Sequence, residues 1–264
     1  MMRRSLVESR ARAGFSLLES LMVCAIVAVL LGLLLPALLR ARESARTAAC
    51  ASNIRQLSTA NRAFAGDHRG DLAPGASDFR ENLHRWHGSR SSVYEPFVPE
   101  GGALTPYLGG DGLVRSCPSF ERVSREPGVD FEAGAGGYGY NMAYLGVGLD
   151  LDDAIGAPLS AITAPARTVE FADTAFVLVM PTTHLAEYSF VEPPRARSQP
   201  DAWLDPSTHF RHGGAASVVW ADGHVDGRTL AHTRGNLYGA SAEEHRRLEV
   251  GWFGPESNEW FDLR

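Results

Sequence analysis

The chain contains no lysine; all 25 of its basic side chains are arginine. The glycine-rich run Ala133-Gly134-Ala135-Gly136-Gly137-Tyr138-Gly139-Tyr140-Asn141 therefore lacks the lysine of a phosphate-binding loop. It lacks the strand-to-helix setting too, so its glycines read as backbone permissiveness. Cysteine is scarce. There are three, at 24, 50 and 117, and none has a second cysteine within four residues, which fits no zinc-ligand spacing. Basic charge is not in excess either: 31 carboxylates give a formal net charge of −6, and nucleic acid is not expected as a partner. Long regular stretches are few, because 27 glycines and 15 prolines in 264 residues imply many turns. In the middle of the chain Pro96, Pro99, Gly101, Gly102, Pro106, Gly109 and Gly110 punctuate residues 93–110 too densely for regular elements.

One segment breaks this pattern. Residues 21–39 form a run of 19 positions without a charge. At about 1.5 Å per residue the run covers roughly 28 Å, close to the hydrocarbon thickness of a bilayer. A signal-peptide core of about 7 to 15 residues would be shorter and would end at a small-residue cleavage site. Glu19 stands just ahead of the run, where the helix dipole and headgroup water make a carboxylate tolerable. Pro36, preceded by Gly32, removes one helical hydrogen bond and predicts a kink. Arg3, Arg4, Arg10 and Arg12 precede the run and Arg40, Arg42, Arg46 and Arg55 follow it, so charge alone does not orient it. Beyond it, Ala41, Ala45, Ala48, Ala49, Ile54, Leu57, Ala60 and Phe64 recur at helical steps, with the arginines as a solvated face. The pattern predicts one helix from Phe15 to about Arg62, about 70 Å long. Gly66 and Gly70 end it. The 225 residues after Leu39 suffice for one domain with its own core.

The order Gly14, Phe15 and then Glu19 ahead of an apolar helix resembles the prepilin processing site of type IV pilins and type II secretion pseudopilins. The resemblance implies that a prepilin peptidase cuts between Gly14 and Phe15 and N-methylates Phe15, and that Glu19 pairs with the Phe15 amino group of a neighbouring subunit during assembly. It implies a cytoplasmic N-terminus, a single-pass inner-membrane helix, and a C-terminal domain in the periplasm or at the cell surface after assembly. Partners would be other pilin or pseudopilin subunits, an assembly ATPase and an inner-membrane platform. Helices of this family can loosen between such a glycine and proline on assembly. The expected organisation is a leader at 1–14, a long helix at 15–64 with its transmembrane part at about 17–39, and an extracytoplasmic globular domain at 65–264. Losing the leader changes the side-chain charge from −6 to −9. Cys24 reads as a small apolar residue in the span. Cys50 and Cys117 would lie on the oxidising side, where a disulfide between them is one option and two free thiols the other.

In the C-terminal domain, 168–171 and 176–180 read as strands flanking Asp173. The run from His209 to Gly227 predicts two strands joined at Asp222-Gly223 by a two-residue type I′ turn. His212 followed nine residues later by Asp222 and Gly223 resembles the C-terminal motif of a large pilin-like family of planctomycetes and related bacteria. Asn53-Ile54-Arg55-Gln56-Leu57, Cys117-Pro118-Ser119, Tyr138-Gly139-Tyr140-Asn141 and Glu170-Phe171-Ala172-Asp173-Thr174 are similar to segments of that family too. The tail has a helical patch at 243–250 and then Trp252, Phe253, Trp260 and Phe261, expected to close the core.

Two chemistries could be drawn on these residues. A zinc hydrolase could use His209, His212, His224 and the nearby aspartates, but no general base or nucleophile is singled out by spacing, and a metal-dependent hydrolase is the least favoured reading. Calcium on Asp173, Asp222, Asp226 and loop carbonyls suits hard oxygen ligands, and the resemblance favours it, since major type II pseudopilins hold a C-terminal loop with calcium. Turn-forming aspartates are the competing account, and His212 reads as a hydrogen-bonded anchor of the hairpin. The sequence thus predicts an α+β, pilin-like fold, with the long N-terminal helix packed on an antiparallel sheet with long loops, and a structural subunit without catalysis. The alternative is a single-pass membrane-anchored binding protein that does not polymerise.

Overall fold

The computed structural model describes residues 17–78, 81–122, 132–146, 155–179 and 182–264. The expected leader and the Gly14–Phe15 cleavage site lie outside the described residues. Two compact units result, one up to Ser44 and one from Ala45 to Arg264.

Helix α1 is one continuous element, Leu17–Asp67, with Gly32 and Pro36 inside it. Its first part is long and apolar enough to cross a membrane, and no side chain of that apolar stretch is buried. In the second unit the same helix turns one face inward: Cys50, Ile54, Leu57, Ser58, Asn61, Phe64 and Ala65, at three- and four-residue steps, are buried. Gly66 does not end the helix; the stop lies after Asp67, where Arg69 and Gly70 take positive φ and the Gly70 N–H closes on the Ala65 carbonyl at 2.8 Å.

The strands are short: β1 His84–Arg85, β2 Gly88–Ser89, β3 Tyr138–Tyr140, β4 Val169–Asp173, β5 Phe176–Val179, β6 Thr183–Ala186, β7 Thr208–His209, β8 Ala215–Trp220, β9 Val225–Thr229 and, after helix α2 (Ala242–Arg247), β10 Val250–Gly251. The central sheet has the order β3-β4-β8-β9 and is antiparallel throughout; β1–β2, β5–β6 and β7–β10 form two-stranded antiparallel ribbons. The chain is therefore α+β.

Both faces of the central strands are covered. Phe171 and Val219 pack with Ile54, Leu57 and Phe64 of α1, Trp86, Tyr138 and Tyr140. Ala172, Val218 and Trp220 pack on the other side with Phe253 and Phe261 of the tail, which closes the core there. The register of β4 on β8 shifts between Val169 and Phe171, and Glu170 in the bulge turns its carboxylate to α1. The tail helix is shorter than its sequence pattern. A capping box of Ser241 and Glu244 starts it, and Val250 belongs to a strand.

The hairpin joining β8 and β9 is not a two-residue type I′ turn. Gly223 alone has positive φ, +88°, whereas type I′ needs it at both central residues. The Gly223 N–H bonds to the Trp220 carbonyl at 2.7 Å and the Trp220 N–H to the His224 carbonyl at 3.1 Å. The loop is thus Ala221-Asp222-Gly223, a type I turn with glycine in the left-handed position after it, the usual three-residue hairpin.

Candidate functional site

The polar heart of the second unit lies where β4, the start of β8 and α1 converge. Asp173 ends β4 with no exposure to solvent. Its Oδ1 accepts from Arg211 Nη2 at 2.7 Å, and its Oδ2 accepts from the Ser217 N–H at 2.6 Å and lies 3.1 Å from His212 Nε2. Burial would raise this carboxyl, but the Arg211 charge, His212 and the Ser217 N–H outweigh it and hold it below its ordinary value. Arg211 also donates to the carbonyls of Thr174 and Gly137 and to His209 Nδ1, so one guanidinium ties β4, the β3 turn and β7 together. His209 is fully enclosed, and burial, with Arg211 beside it, keeps its pKa well below normal.

His212 has its ring between three elements. Besides Asp173, its Nε2 stands 3.7 Å from Cys117 Sγ, and its Nδ1 lies 3.4 Å from Thr47 Oγ1 on α1. Cys50 of α1 and Cys117 are joined by a disulfide, with Cα atoms 5.0 Å apart. Asp173 and Cys117 face the same imidazole nitrogen, so the trio is no relay in which an acid orients a base toward a sulfur; that needs opposite ring nitrogens.

At the far end of β8 the motif meets α1 again. Arg62 Nη2 donates to the Ala221 carbonyl at 2.8 Å, and its guanidinium lies over Gly223, where an added Cβ would come within 2.8 Å of it. Between these two points Glu170 reaches α1: Ser58 Oγ donates to Oε2 and Asn61 Nδ2 to Oε1 at 2.9 Å, while Asn61 Oδ1 accepts from the Ala73 N–H. Burial raises Glu170 to about 7, and the bonds from Ser58 and Asn61 with the Arg62 charge hold it from going higher. His212, Asp222 and Gly223 thus bracket a strand fastened to α1 by polar contacts at both ends.

The structure does not bring the expected calcium ligands together. Asp173 is saturated by its buried donors. Asp222 sits at the hairpin tip, bonded to the N–H and Nδ1 of His224; Asp226, on β9, accepts from Trp220 Nε1 and Arg228. Three aspartates in three settings share no ion, and the calcium reading loses this ligand set. His209, His212 and His224 are likewise each engaged with a different partner. A cleft of about 540 Å³ beside the site is lined by His87, Phe97, Ser116, Glu121 and Glu187, among others. Burial, with Arg85 and Arg90 near, lowers His87 to about 3, so it is neutral and a poor base. Glu19 lies in the first turn of α1.

Sequence reasoning gave no role to Glu170, Arg211, Ser58, Asn61 or Arg62. A signal existed for two of them: Ser58 and Asn61 interrupt the inward face of an amphipathic helix three residues apart, and buried polar groups at such positions need partners. No family model matches the chain, and no curated protein or solved structure matches it at a significant level.

Proposed function

We propose that the chain is a structural subunit of a type IV pilus-like or type II secretion pseudopilus filament. In this reading prepilin peptidase removes residues 1–14, Phe15 becomes the N-methylated terminus, and the chain sits in the inner membrane with its C-terminal domain outside the cytoplasm. Extraction by an ATPase-driven platform then packs α1 against the same helix of neighbouring subunits, with Glu19 neutralising a neighbouring Phe15 amino group. The observation that carries the reading is the continuity of α1. One helix, Leu17–Asp67, starts as an unburied apolar rod and ends as the inward-facing strut of a folded domain. A plain anchor needs only the first part. A subunit that polymerises through its helix needs the two parts to be one unbroken helical segment, and Ser58, Asn61 and Arg62 fix the strut to the sheet.

The test is Glu19→Ala in the native host. The expected outcome is a chain that is made, inserted and processed but absent from sheared filaments. Filaments formed at the normal level would return the chain to the class of anchored binding proteins.

A further inference from the structure

The Cys50–Cys117 pair has a third potential ligand beside it. The two sulfurs and a ring nitrogen of His212 all lie within 4.8 Å of one another, and among the described residues this is the one group of three Cys, His, Asp or Glu side chains near enough to share an ion. The disulfide spends both sulfurs on each other. We propose that in its reduced form the chain binds one Zn²⁺ through Cys50, Cys117 and His212, so that the same site is either a disulfide or a zinc centre.

The chemistry balances. A dithiol reductant, oxidised to its own disulfide, gives two electrons and two protons to the sulfurs; Zn²⁺ then displaces both thiol protons to solvent as the two Zn–S bonds form. Tetrahedral zinc, with bonds of about 2.3 Å to sulfur and about 2.0 Å to nitrogen, sets its ligand atoms about 3.3 to 3.8 Å apart. His212 Nε2 and Cys117 Sγ already stand at 3.7 Å, so only the sulfurs need to part. Once His212 Nε2 binds zinc it carries no proton to donate to Asp173 Oδ2, 3.1 Å away, and the lone pair released there takes the fourth position while the Ser217 N–H keeps the other. Charge also closes: two thiolates cancel the ion, His212 enters neutral, and Asp173 is matched by Arg211, 2.7 Å away. A buried cluster without net charge avoids the desolvation cost that an isolated ion would meet. No spacing rule would find this site, since its ligands come from α1, a loop and the entry to β8.

The experiment uses the full-length chain in detergent micelles with Cys24→Ser, so that no third thiol competes. It is oxidised, or reduced with a phosphine that becomes its oxide, and titrated with Co²⁺ as a spectroscopic stand-in for Zn²⁺. The reduced chain is expected to take up one equivalent, with thiolate charge-transfer and tetrahedral visible bands that Zn²⁺ abolishes; the oxidised chain takes up none. His212→Ala should weaken binding at least about tenfold, and His212→Cys, which restores a ligand, should bring back a tetrahedral spectrum with stronger charge transfer. Absence of a one-equivalent band in the reduced chain, or a band that His212→Ala leaves unchanged, would overturn the proposal. A reduced chain that unfolds and does not refold with metal would overturn it equally.

Discussion

At the residue scale the second unit is governed by carboxylates buried in its core, Asp173 and Glu170. Asp173 survives burial because Arg211, Ser217 and His212 surround it. Removing a buried charge leaves its partner stranded, at a cost of about 3 to 5 kcal/mol, whereas losing one hydrogen-bonding neighbour costs about 1 to 3 kcal/mol. Asp173→Ala should therefore destabilise the chain more than His212→Ala in denaturant titrations, and the reverse order would mean that His212, not the ion pair, organises the site. Glu170 has the opposite tuning. Its folded-state pKa is raised from 4.5 to about 7, so between those values the folded chain keeps a proton that the unfolded chain has released. Its contribution is favourable below pH 4.5 and is lost as pH rises to 7. Glu192, half-buried and raised by desolvation to about 7 as well, adds in the same sense. Glu170→Gln, which keeps an acceptor for Asn61, should flatten this decline and gain up to about 3 kcal/mol above neutrality. An unchanged slope in melts taken across this range would contradict the assignment.

At the scale of elements, the contacts that matter join α1 to the hairpin and to the loop around Cys117. The disulfide closes a 67-residue separation, worth about 4 kcal/mol in the chain-entropy model. Cys117→Ser should lower the melting temperature of the oxidised chain accordingly and leave the reduced chain nearly unchanged. At the hairpin, Gly223→Ala meets both a left-handed backbone and the Arg62 guanidinium. The backbone term alone is about 1 to 2 kcal/mol. A double-mutant cycle with Arg62→Ala should recover the steric share, and full additivity would show that Arg62 does not press on the turn. Elements of strong periodicity were legible in the sequence: α1 by its apolar steps, and the β8–β9 hairpin by its β-prone runs around Asp222-Gly223. The turn type was not, since Asp-Gly suits both a two-residue I′ loop and a three-residue loop with a left-handed glycine. The buried network was not legible either. Arg211, His212 and Ser217 reach Asp173 only through tertiary pairing, and an aspartate facing a guanidinium looks in sequence like one facing an ion.

At the scale of the whole molecule, α1 runs without a break from its apolar half into the half on which the domain is built. The sequence pointed to the long helix, the sheet beside it and the closing aromatic tail; it could not show that Gly66 lies inside the helix, because one glycine costs only about 1 kcal/mol and Ala65 and Phe64 hold that turn in the core. What the helix is for is decided at its start. Intact-mass and N-terminal peptide mass spectrometry on protein from native membranes reads that start. A filament subunit is expected to begin at N-methylated Phe15. A chain beginning at Met1, or cut after Leu39, would contradict it and make α1 an anchor or a signal segment instead of an assembly helix.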